Sequence, residues 1–360
     1  EVVPYLNSVL NHSEEINHVR KKLIVNMEDS IILNKVNINN INNQSFKFPL
    51  NCLISVTGVS GSGKSSLINK YLYEEIRLKT LGLRSPNQSI IPNSIKSIIS
   101  LSQSNNKSNS RSVVATYIGA FEIIRKVYAE LGTIYGLTPG MFSFNSSGAC
   151  DICCGVGELD DVVCHSCFGK RFKPEILTIK LNGLNISEFL ETTISKVHLL
   201  EDKLGYIVTT LKKLGLGHLT FGTLTNSLSG GERQRLRLAE LLISNFKLLN
   251  EGGLLIIFDE PTQGLNILDI ISIINIFDEI IAKGNSIICI EHNKYIIENS
   301  DFIIDVGPLS GHMGGRNVFS GDYRGLINCD ASITGGCMKK EQSKLTNINR
   351  IINCPVPASY

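Results

Sequence analysis

The stretch Thr57-Gly58-Val59-Ser60-Gly61-Ser62-Gly63-Lys64-Ser65-Ser66 decides the fold of this chain. It matches the pattern G-x-x-x-x-G-K-[ST], in which a glycine-rich turn points backbone N–H groups at a phosphate. An apolar strand precedes it and apolar residues at helical spacing follow it, so we expect a helix N-terminus to face the phosphates as well. This context argues against a chance match of a Gly/Ser-rich loop. The residues expected to bind nucleotide here are Gly58, Ser60, Gly61, Ser62, Gly63, Lys64, Ser65 and Ser66. Lys64 is expected to reach the β- and γ-phosphates, and Ser65 is expected to bind Mg²⁺.

Length and composition favour a two-domain protein without a membrane partner. The chain has 360 residues, and a net charge of +2 with 19% charged residues does not by itself indicate a nucleic-acid partner. It contains no apolar run of membrane-spanning length and no signal-peptide core, which predicts a cytoplasmic protein. It begins with Glu1 rather than Met, which leaves open that it is the second half of something longer.

Clustered cysteines predict a metal site. Thiols stay reduced in the cytoplasm, so clustering among the ten cysteines points to metal rather than to disulfides. Two C-x-x-C pairs with ten residues between them supply the four thiolates of a tetrahedral structural Zn²⁺ site. The alternative is a group of buried or redox-active thiols, and the neighbouring Cys154 and His165 are less suitable as ligands. The predicted zinc ligands are Cys150, Cys153, Cys164 and Cys167.

Three further motifs lie downstream. Ser229 is expected to cap an amphipathic helix whose free N–H groups form an anion site, although Ser-Gly-Gly alone is also an ordinary turn. A buried apolar strand ends in Asp259 and Glu260, which are expected to hold Mg²⁺ through water and to orient an attacking water, respectively. His292 follows the next strand, at the edge of an α/β sheet where ligands bind.

The order of these pieces resembles that of an ABC-type ATPase. The sequence Leu-Ser-Gly-Gly matches the family's signature, and Gln103 lies in a polar loop after a predicted strand. The resemblance implies that Gln103 senses the γ-phosphate and Mg²⁺ and that His292 contacts the γ-phosphate. It also implies that Ser229, Gly230 and Gly231 grip the ATP held by a second nucleotide-binding unit.

A narrower resemblance is to UvrA, the damage-recognition ATPase of bacterial nucleotide excision repair. Residues 140–150 and 167–171 around the cysteines, 215–220 before the signature and 305–315 carry it, and residues 264–293 are most similar to the C-terminal half of UvrA. It implies an α/β ABC-type P-loop nucleotide-binding domain with an inserted α-helical and zinc-binding module. The implied cofactors are ATP, Mg²⁺ and Zn²⁺. The implied partners are damaged duplex DNA, a second ABC half or a second copy, and a UvrB-like helicase.

The sequence departs from the UvrA pattern in four respects. The gap between the cysteine pairs is short, which puts damage discrimination in doubt. The loop after Gln103 lacks the Pro-Ile-Gly-Arg sequence that is usual in the family. One set of ATPase motifs is present, whereas full-length UvrA has two. The UvrB-docking domain is also absent, so a UvrA-like drug-resistance or self-protection ATPase without an excision role is the alternative function. A transporter ATPase and a non-hydrolysing scaffold rank lower.

The motifs predict five segments. They are an N-terminal tail or linker (1–30), the first part of the ATPase domain (31–110), the inserted signature and zinc-binding domain (111–227), the second part of the ATPase domain (228–327) and a C-terminal tail (328–360).

Overall fold

The computed structural model describes residues 20–85, 87–101, 112–197 and 202–341. The chain divides into two compact units, one formed by residues 1–103 with 247–360 and the other by residues 104–246. Gln103 and its loop lie outside the described residues. Among the described helices, none is long and apolar enough to cross a membrane.

The strands of the described residues are named in chain order. They are β1 (Ser30–Ile38), β2 (Ile41–Pro49), β3 (Leu53–Thr57), β4 (Ser89–Ile90), β5 (Ser97–Leu101), β6 (Glu158–Leu159), β7 (Val162–Val163), β8 (Lys180–Leu181), β9 (Leu184–Asn185), β10 (Leu254–Asp259), β11 (Ser286–Ile290), β12 (Phe302–Gly307) and β13 (Arg316–Gly321).

The helix after the glycine-rich loop starts with wide π-type turns at Ser66–Leu72 and continues as α1. The α-helices are α1 (Tyr73–Thr80), α2 (Val114–Tyr117), α3 (Ala120–Gly132), α4 (Ile186–Glu191), α5 (Asp202–Lys213), α6 (Gly230–Ser244), α7 (Phe246–Glu251), α8 (Ile267–Ile281), α9 (Lys294–Asn299) and α10 (Tyr323–Ile327). Short 3-10 turns lie at Thr133–Tyr135, Pro139–Phe142, Ile176–Thr178, Ile194–Lys196 and Gly311–Met313.

One mixed sheet organises the first unit. Six of the described strands form it in the order β13-β12-β3-β11-β10-β5, and all but β13 run parallel to their neighbours. β3 and β11 are buried at every position, as expected for parallel strands covered on both faces. The register pairs Asp259 with Ile290 and Ile290 with Val56, so β3, β10 and β11 end at the same edge. The glycine-rich loop, Glu260 and His292 therefore follow strands that end side by side.

The segments that flank the ATPase motifs are held within the first unit. Arg20 is buried and forms ion pairs with Asp278 and with Asp301, the latter at 2.8 Å. At the other end, the Ser332 and Thr334 hydroxyls donate to buried Asp305 at 2.6 and 2.9 Å. The described parts of the two predicted tails thus contribute polar contacts to this unit. The five-segment division itself stays a prediction.

The second unit contains α2 to α6 and the cysteine module. Aromatic rings connect the helices to the module. Phe121 of α3 lies 4.8 Å from Phe144 between ring centroids, and Phe144 lies 5.8 Å from Phe172. A left-handed Gly119 (φ +73°) separates α2 from α3. Both cysteine pairs lie in the segment that these rings flank.

Candidate nucleotide and metal sites

Glycine is required at two positions of the loop between β3 and the following helix. Gly58 has φ +131°, and a Cβ there would lie 2.0 Å from the Val306 carbonyl oxygen. Gly63 has φ +111°, and its Cβ would lie 2.8 Å from Oδ1 of Asn40. Both backbone conformations are ones that other residues rarely adopt. The close packing that Gly58 and Gly63 allow lets the loop curl over the end of β3, as the sequence motif predicts.

The turn between β1 and β2 supports this loop from outside. Asn40 donates its side-chain amide to the carbonyls of Ser62 at 3.1 Å and Gly311 at 3.0 Å. The neighbouring Asn39 donates to the Ser66 hydroxyl at 2.7 Å. Two side-chain amides of this Asn-rich segment therefore hold the glycine-rich loop and the start of the following helix in place.

Lys64 is folded against the loop that carries it. Its Nζ donates to the carbonyl oxygens of Gly58 and Val59, both at 2.8 Å, and the residue is only 6% exposed. Burial lowers the pKa of the Lys64 ammonium, and the negative charge of Glu260 opposes this shift. A poorly hydrated ammonium next to inward-facing N–H groups favours an anionic ligand.

Asp259 is held by an amide that sequence reasoning missed. Asn69, in the helix that follows the glycine-rich loop, donates Nδ2 to Oδ2 of Asp259 at 2.7 Å. Burial raises the pKa of the Asp259 carboxyl, and the Asn69 hydrogen bond opposes that shift. The local sequence gives no signal for Asn69, because its partner lies 190 residues away in the chain.

Glu260 and His292 lie next to each other at the carboxyl edge of the sheet. Glu260 has φ +51°, an uncommon conformation for a non-glycine residue, and its N–H donates to the Ile290 carbonyl at 3.0 Å. Its Oε1 lies 3.8 Å from Nε2 of His292. Burial lowers the pKa of the His292 imidazole, as does the nearby Lys64 ammonium, and the Glu260 carboxylate opposes this shift.

Glu260 and His292 share one cleft with most of the predicted residues of the glycine-rich loop. The predicted residues Gly58, Ser62 and Asp259 do not line it, and Asp259 ends β10 and accepts a hydrogen bond from Asn69. The cleft is lined by Asn40, Ser60, Gly61, Gly63, Lys64, Ser65, Ser66, Glu260, Ile290 and His292.

The predicted signature residues lie in the second unit. Ser229 caps α6, and its Oγ accepts the Glu232 N–H at 3.3 Å. Glu232 in turn accepts the Ser229 N–H at 2.9 Å, and its other oxygen lies 2.7 Å from Nε2 of His218. These contacts lower the pKa of Glu232 to about 2, and the hydrogen bond to His218 has the largest effect. Ser229 and Gly230 are exposed, which leaves the helix N-terminus accessible to an anion.

The four predicted metal ligands come together in the second unit. The Sγ atoms of Cys150, Cys153, Cys164 and Cys167 all lie within 4.8 Å of one another, and all four residues are buried. The Sγ atoms of Cys153 and Cys167 are 3.6 Å apart. Zn–S bonds of about 2.3 Å in a tetrahedron place sulfurs about 3.8 Å apart. The donor set and its size therefore fit Zn²⁺, whereas neighbouring Cys154 is exposed and outside the cluster.

Backbone geometry shapes this cluster. Gly155 has φ +79°, and a Cβ there would lie 1.7 Å from the Phe144 carbonyl oxygen. The Gly157 N–H donates to Sγ of Cys153 at 3.3 Å, an interaction that stabilises a thiolate. The glycines that follow the first cysteine pair thus allow a tight turn and supply a sulfur hydrogen bond.

The basic residues that follow the cysteines are largely occupied by internal contacts. Phe172 is buried. The Arg171 guanidinium lies 4.0 Å from the Phe144 ring centroid, and its Nε donates to the Gly155 carbonyl at 2.8 Å. Lys173 pairs with Asp151 at 2.8 Å. The basic segment 170–173 therefore uses at least two of its cations in contacts within the module.

Comparison with known proteins identifies the family. No family model matches the sequence. The chain is 37% identical over 321 residues to UvrABC system protein A of Clostridium perfringens, covering 84% of this chain, and 38% identical over 312 residues to that of Helicobacter pylori strain J99, covering 80%. The chain belongs to the UvrA family.

The fold comparison agrees with the UvrA assignment. The crystal structure of UvrA2 from Deinococcus radiodurans superposes with a TM-score of 0.78 at 30% identity, covering 90% of this chain and 41% of that one. The predicted fold class is confirmed: an α/β ABC-type nucleotide-binding domain with an inserted helical module that carries a four-cysteine group. This UvrA-family chain spans about a third of the length of the curated relatives, at 34% and 32% of the two proteins above.

Proposed function

We propose that this chain is the ATP-binding and ATP-hydrolysing part of a UvrA-type DNA repair protein. The observation that carries the proposal is the single cleft in which Lys64, Glu260 and His292 meet at the ends of neighbouring strands. The residue types suit phosphoryl transfer to water, which depends on positioning and on stabilising charge rather than on covalent catalysis.

Each side chain of the cleft has a proposed role. Lys64 binds the β- and γ-phosphates, exchanging the carbonyls of its own loop for phosphate oxygens. Glu260 accepts the proton of the attacking water or orients that water, and His292 donates a hydrogen bond to the γ-phosphate. Ser65 and Asp259 would hold Mg²⁺, which neutralises phosphate charge when bound. The proposed phosphate cradle consists of Gly58, Ser60, Gly61, Ser62, Gly63 and Ser66. Gln103 keeps its proposed role as a γ-phosphate sensor.

A second nucleotide-binding unit completes the site. Ser229, Gly230 and Gly231 are proposed to bind the γ-phosphate of ATP held by that unit, which is either a second ABC half or a second copy of this chain. The capped and exposed N-terminus of α6 supports this role, because its free N–H groups and helix dipole favour an anion.

Zinc is the proposed occupant of the four-cysteine cluster. The buried sulfurs are compact enough for tetrahedral coordination by Cys150, Cys153, Cys164 and Cys167. A closed site of this kind has no open position for a substrate, so its role would be to hold the module in shape.

We further propose that ATP turnover is coupled to binding of damaged duplex DNA in nucleotide excision repair, in the cytoplasm, with a UvrB-like helicase as a further partner. The names of the curated relatives favour this role over drug resistance or self-protection. A lesion sensor must tolerate any sequence, so contacts to phosphates and to deformed DNA suit it better than contacts to base edges.

The Glu260→Gln variant tests the hydrolytic role. Glutamine keeps the shape of Glu260 but cannot accept a proton, so ATP should bind and remain uncleaved, with turnover reduced at least about 100-fold. Phosphate release and retention of labelled ATP are measured with duplex DNA present and absent. Glu28→Gln, which changes an exposed glutamate in the same unit, is the matched control. Turnover equal to that of the control would remove Glu260 from its proposed role.

A further inference from the structure

Glu291 is a buried carboxylate that is not among the predicted site residues. It is 3% exposed and follows β11, immediately before His292. Its Oε1 accepts two hydrogen bonds from Thr262, from the backbone N–H at 3.0 Å and from the hydroxyl at 2.7 Å. Its Oε2 accepts the N–H groups of His292 at 3.0 Å and Asn293 at 3.1 Å. The carboxylate therefore connects the ends of two neighbouring strands.

The four donors match what a carboxylate needs when it is buried. An ionised carboxylate offers about four acceptor sites and no donor, and burying it without partners is costly. The side-chain amide of a glutamine at this position would place its NH₂ group, which is itself a donor, against the N–H or O–H donors on one side. The arrangement therefore fits a charged glutamate much better than glutamine, although the two side chains have nearly the same size.

The two segments held by Glu291 carry Glu260, proposed to act on the attacking water, and His292, proposed to contact the γ-phosphate. Thr262 lies two residues after Glu260, and His292 is the next residue after Glu291. The N–H of Glu260 also bonds to the Ile290 carbonyl at 3.0 Å, so backbone and side-chain bonds run between the same two segments. Displacement of one segment would pull on the other through Glu291.

We propose that Glu291 is a positioning residue that couples the segment after β10 to the His292 turn, so that Glu260 and His292 keep their separation and move together. The inference rests on the proposed ATP hydrolysis, since it assigns Glu291 a part in that reaction. Glu291 does not line the nucleotide cleft, and it acts through the backbone of the residues that do.

Three variants of the full chain test the coupling. Glu291→Gln removes the charge and half of the acceptors, Thr262→Val removes the hydroxyl donor alone, and the double variant combines them. Glu28→Gln is the control. Turnover gives kcat, a fluorescent ATP analogue gives the dissociation constant, and hydrogen–deuterium exchange reports on peptides that cover residues 260–265 and 291–295.

The coupling predicts a specific combination of results. In Glu291→Gln, kcat should fall about 10- to 100-fold, as for loss of hydrogen bonds to a charged group, while the dissociation constant changes less than about 3-fold. Exchange should accelerate in both peptides. The double variant should lose little beyond Glu291→Gln, because both changes break the same connection.

Two outcomes would overturn the inference. One is faster exchange confined to residues 291–295, and the other is an unchanged kcat in a Glu291→Gln protein that hydrolyses ATP. If Glu291→Gln does not fold, Thr262→Val must still accelerate exchange at residues 291–295, or the inference fails. A wild-type chain without turnover in the presence of its second unit would refute the proposed function instead, and the exchange measurement would still decide whether Glu291 links the two segments.

Discussion

Replacing Asn69 with leucine should weaken Mg²⁺ use without unfolding the protein. The Asn69 amide donates to Asp259 at 2.7 Å, and hydrogen bonds to charged groups contribute about 1.5–3 kcal/mol. Because 1.36 kcal/mol corresponds to about a factor of ten, the Mg²⁺ concentration for half-maximal turnover should rise about 10- to 100-fold. Burial already raises the pKa of Asp259 and the amide opposes this, so losing the amide raises it further and moves the acid limb of turnover to higher pH.

The effect on stability should be moderate. The buried Oδ1 of Asn69 has no hydrogen-bond partner among the described residues, so leucine removes an unpaired acceptor together with the donor. Leucine has the same branching as asparagine but a larger volume, and Asp259 loses a hydrogen bond, so the free energy of unfolding should fall by no more than about 3 kcal/mol. This separates a local electrostatic effect from damage to the fold.

The assay is a Mg²⁺ titration of ATP hydrolysis at saturating ATP, repeated from pH 5 to pH 8, with urea unfolding beside it. Asn34→Leu is the matched control, because the Asn34 amide bonds the Gln88 carbonyl on the exposed surface at 3.0 Å. An Asn69→Leu protein that keeps the Mg²⁺ dependence and pH profile of this control would refute the assigned role. A fall in stability of more than about 5 kcal/mol would refute the structural reasoning.

Three further perturbations have clear expected outcomes. Gly58→Ala should destabilise the protein by at least about 2 kcal/mol in urea unfolding, since its Cβ meets the Val306 carbonyl oxygen at 2.0 Å, whereas Gly82→Ala, with φ +70° and open space, should cost about 1 kcal/mol or less. Glu232→Gln should lower stability by about 1 kcal/mol at pH 7. Because the folded pKa of Glu232 is depressed to about 2 from an ordinary 4.5, this difference should shrink as pH falls below 4.5, which melting temperatures at pH 7 and pH 4 would show. Elemental analysis should find about one Zn²⁺ per chain, lost in Cys153→Ser and kept in the Cys154→Ser control.

Short-range patterns carried most of what could be predicted from the sequence. The glycine-rich loop and the cysteine pairs are local motifs, and each has a fixed spacing that follows from chemistry. A parallel strand order then places Glu260 and His292 at the same edge as the loop, because neighbouring parallel strands end together. These residues could therefore be predicted without knowledge of contacts between distant parts of the chain.

The residues that were missed act across long sequence separations. Asn69 bonds Asp259 from 190 residues away, and Asn40 bonds Gly311 across 271 residues. Thr262 and Glu291 are 29 residues apart in the sequence, with α8 and β11 between them. Asparagine and glutamate at such positions have no periodicity or spacing that separates them from surface residues. Only the folded structure shows that their polar atoms form hydrogen bonds with residues of the site.

Charge placement in the cysteine module limits the way in which it could contact DNA. The exposed turn between β6 and β7 carries Asp160 and Asp161, and the β7 valines beside it are exposed as well. Because Arg171 and Lys173 are engaged within the module, few of its cations remain for phosphates. Affinity that depends on phosphate neutralisation falls steeply with salt, in proportion to the number of contacts. Any DNA binding through this module should therefore depend only weakly on salt, and a steep dependence would place the main contact elsewhere on the protein.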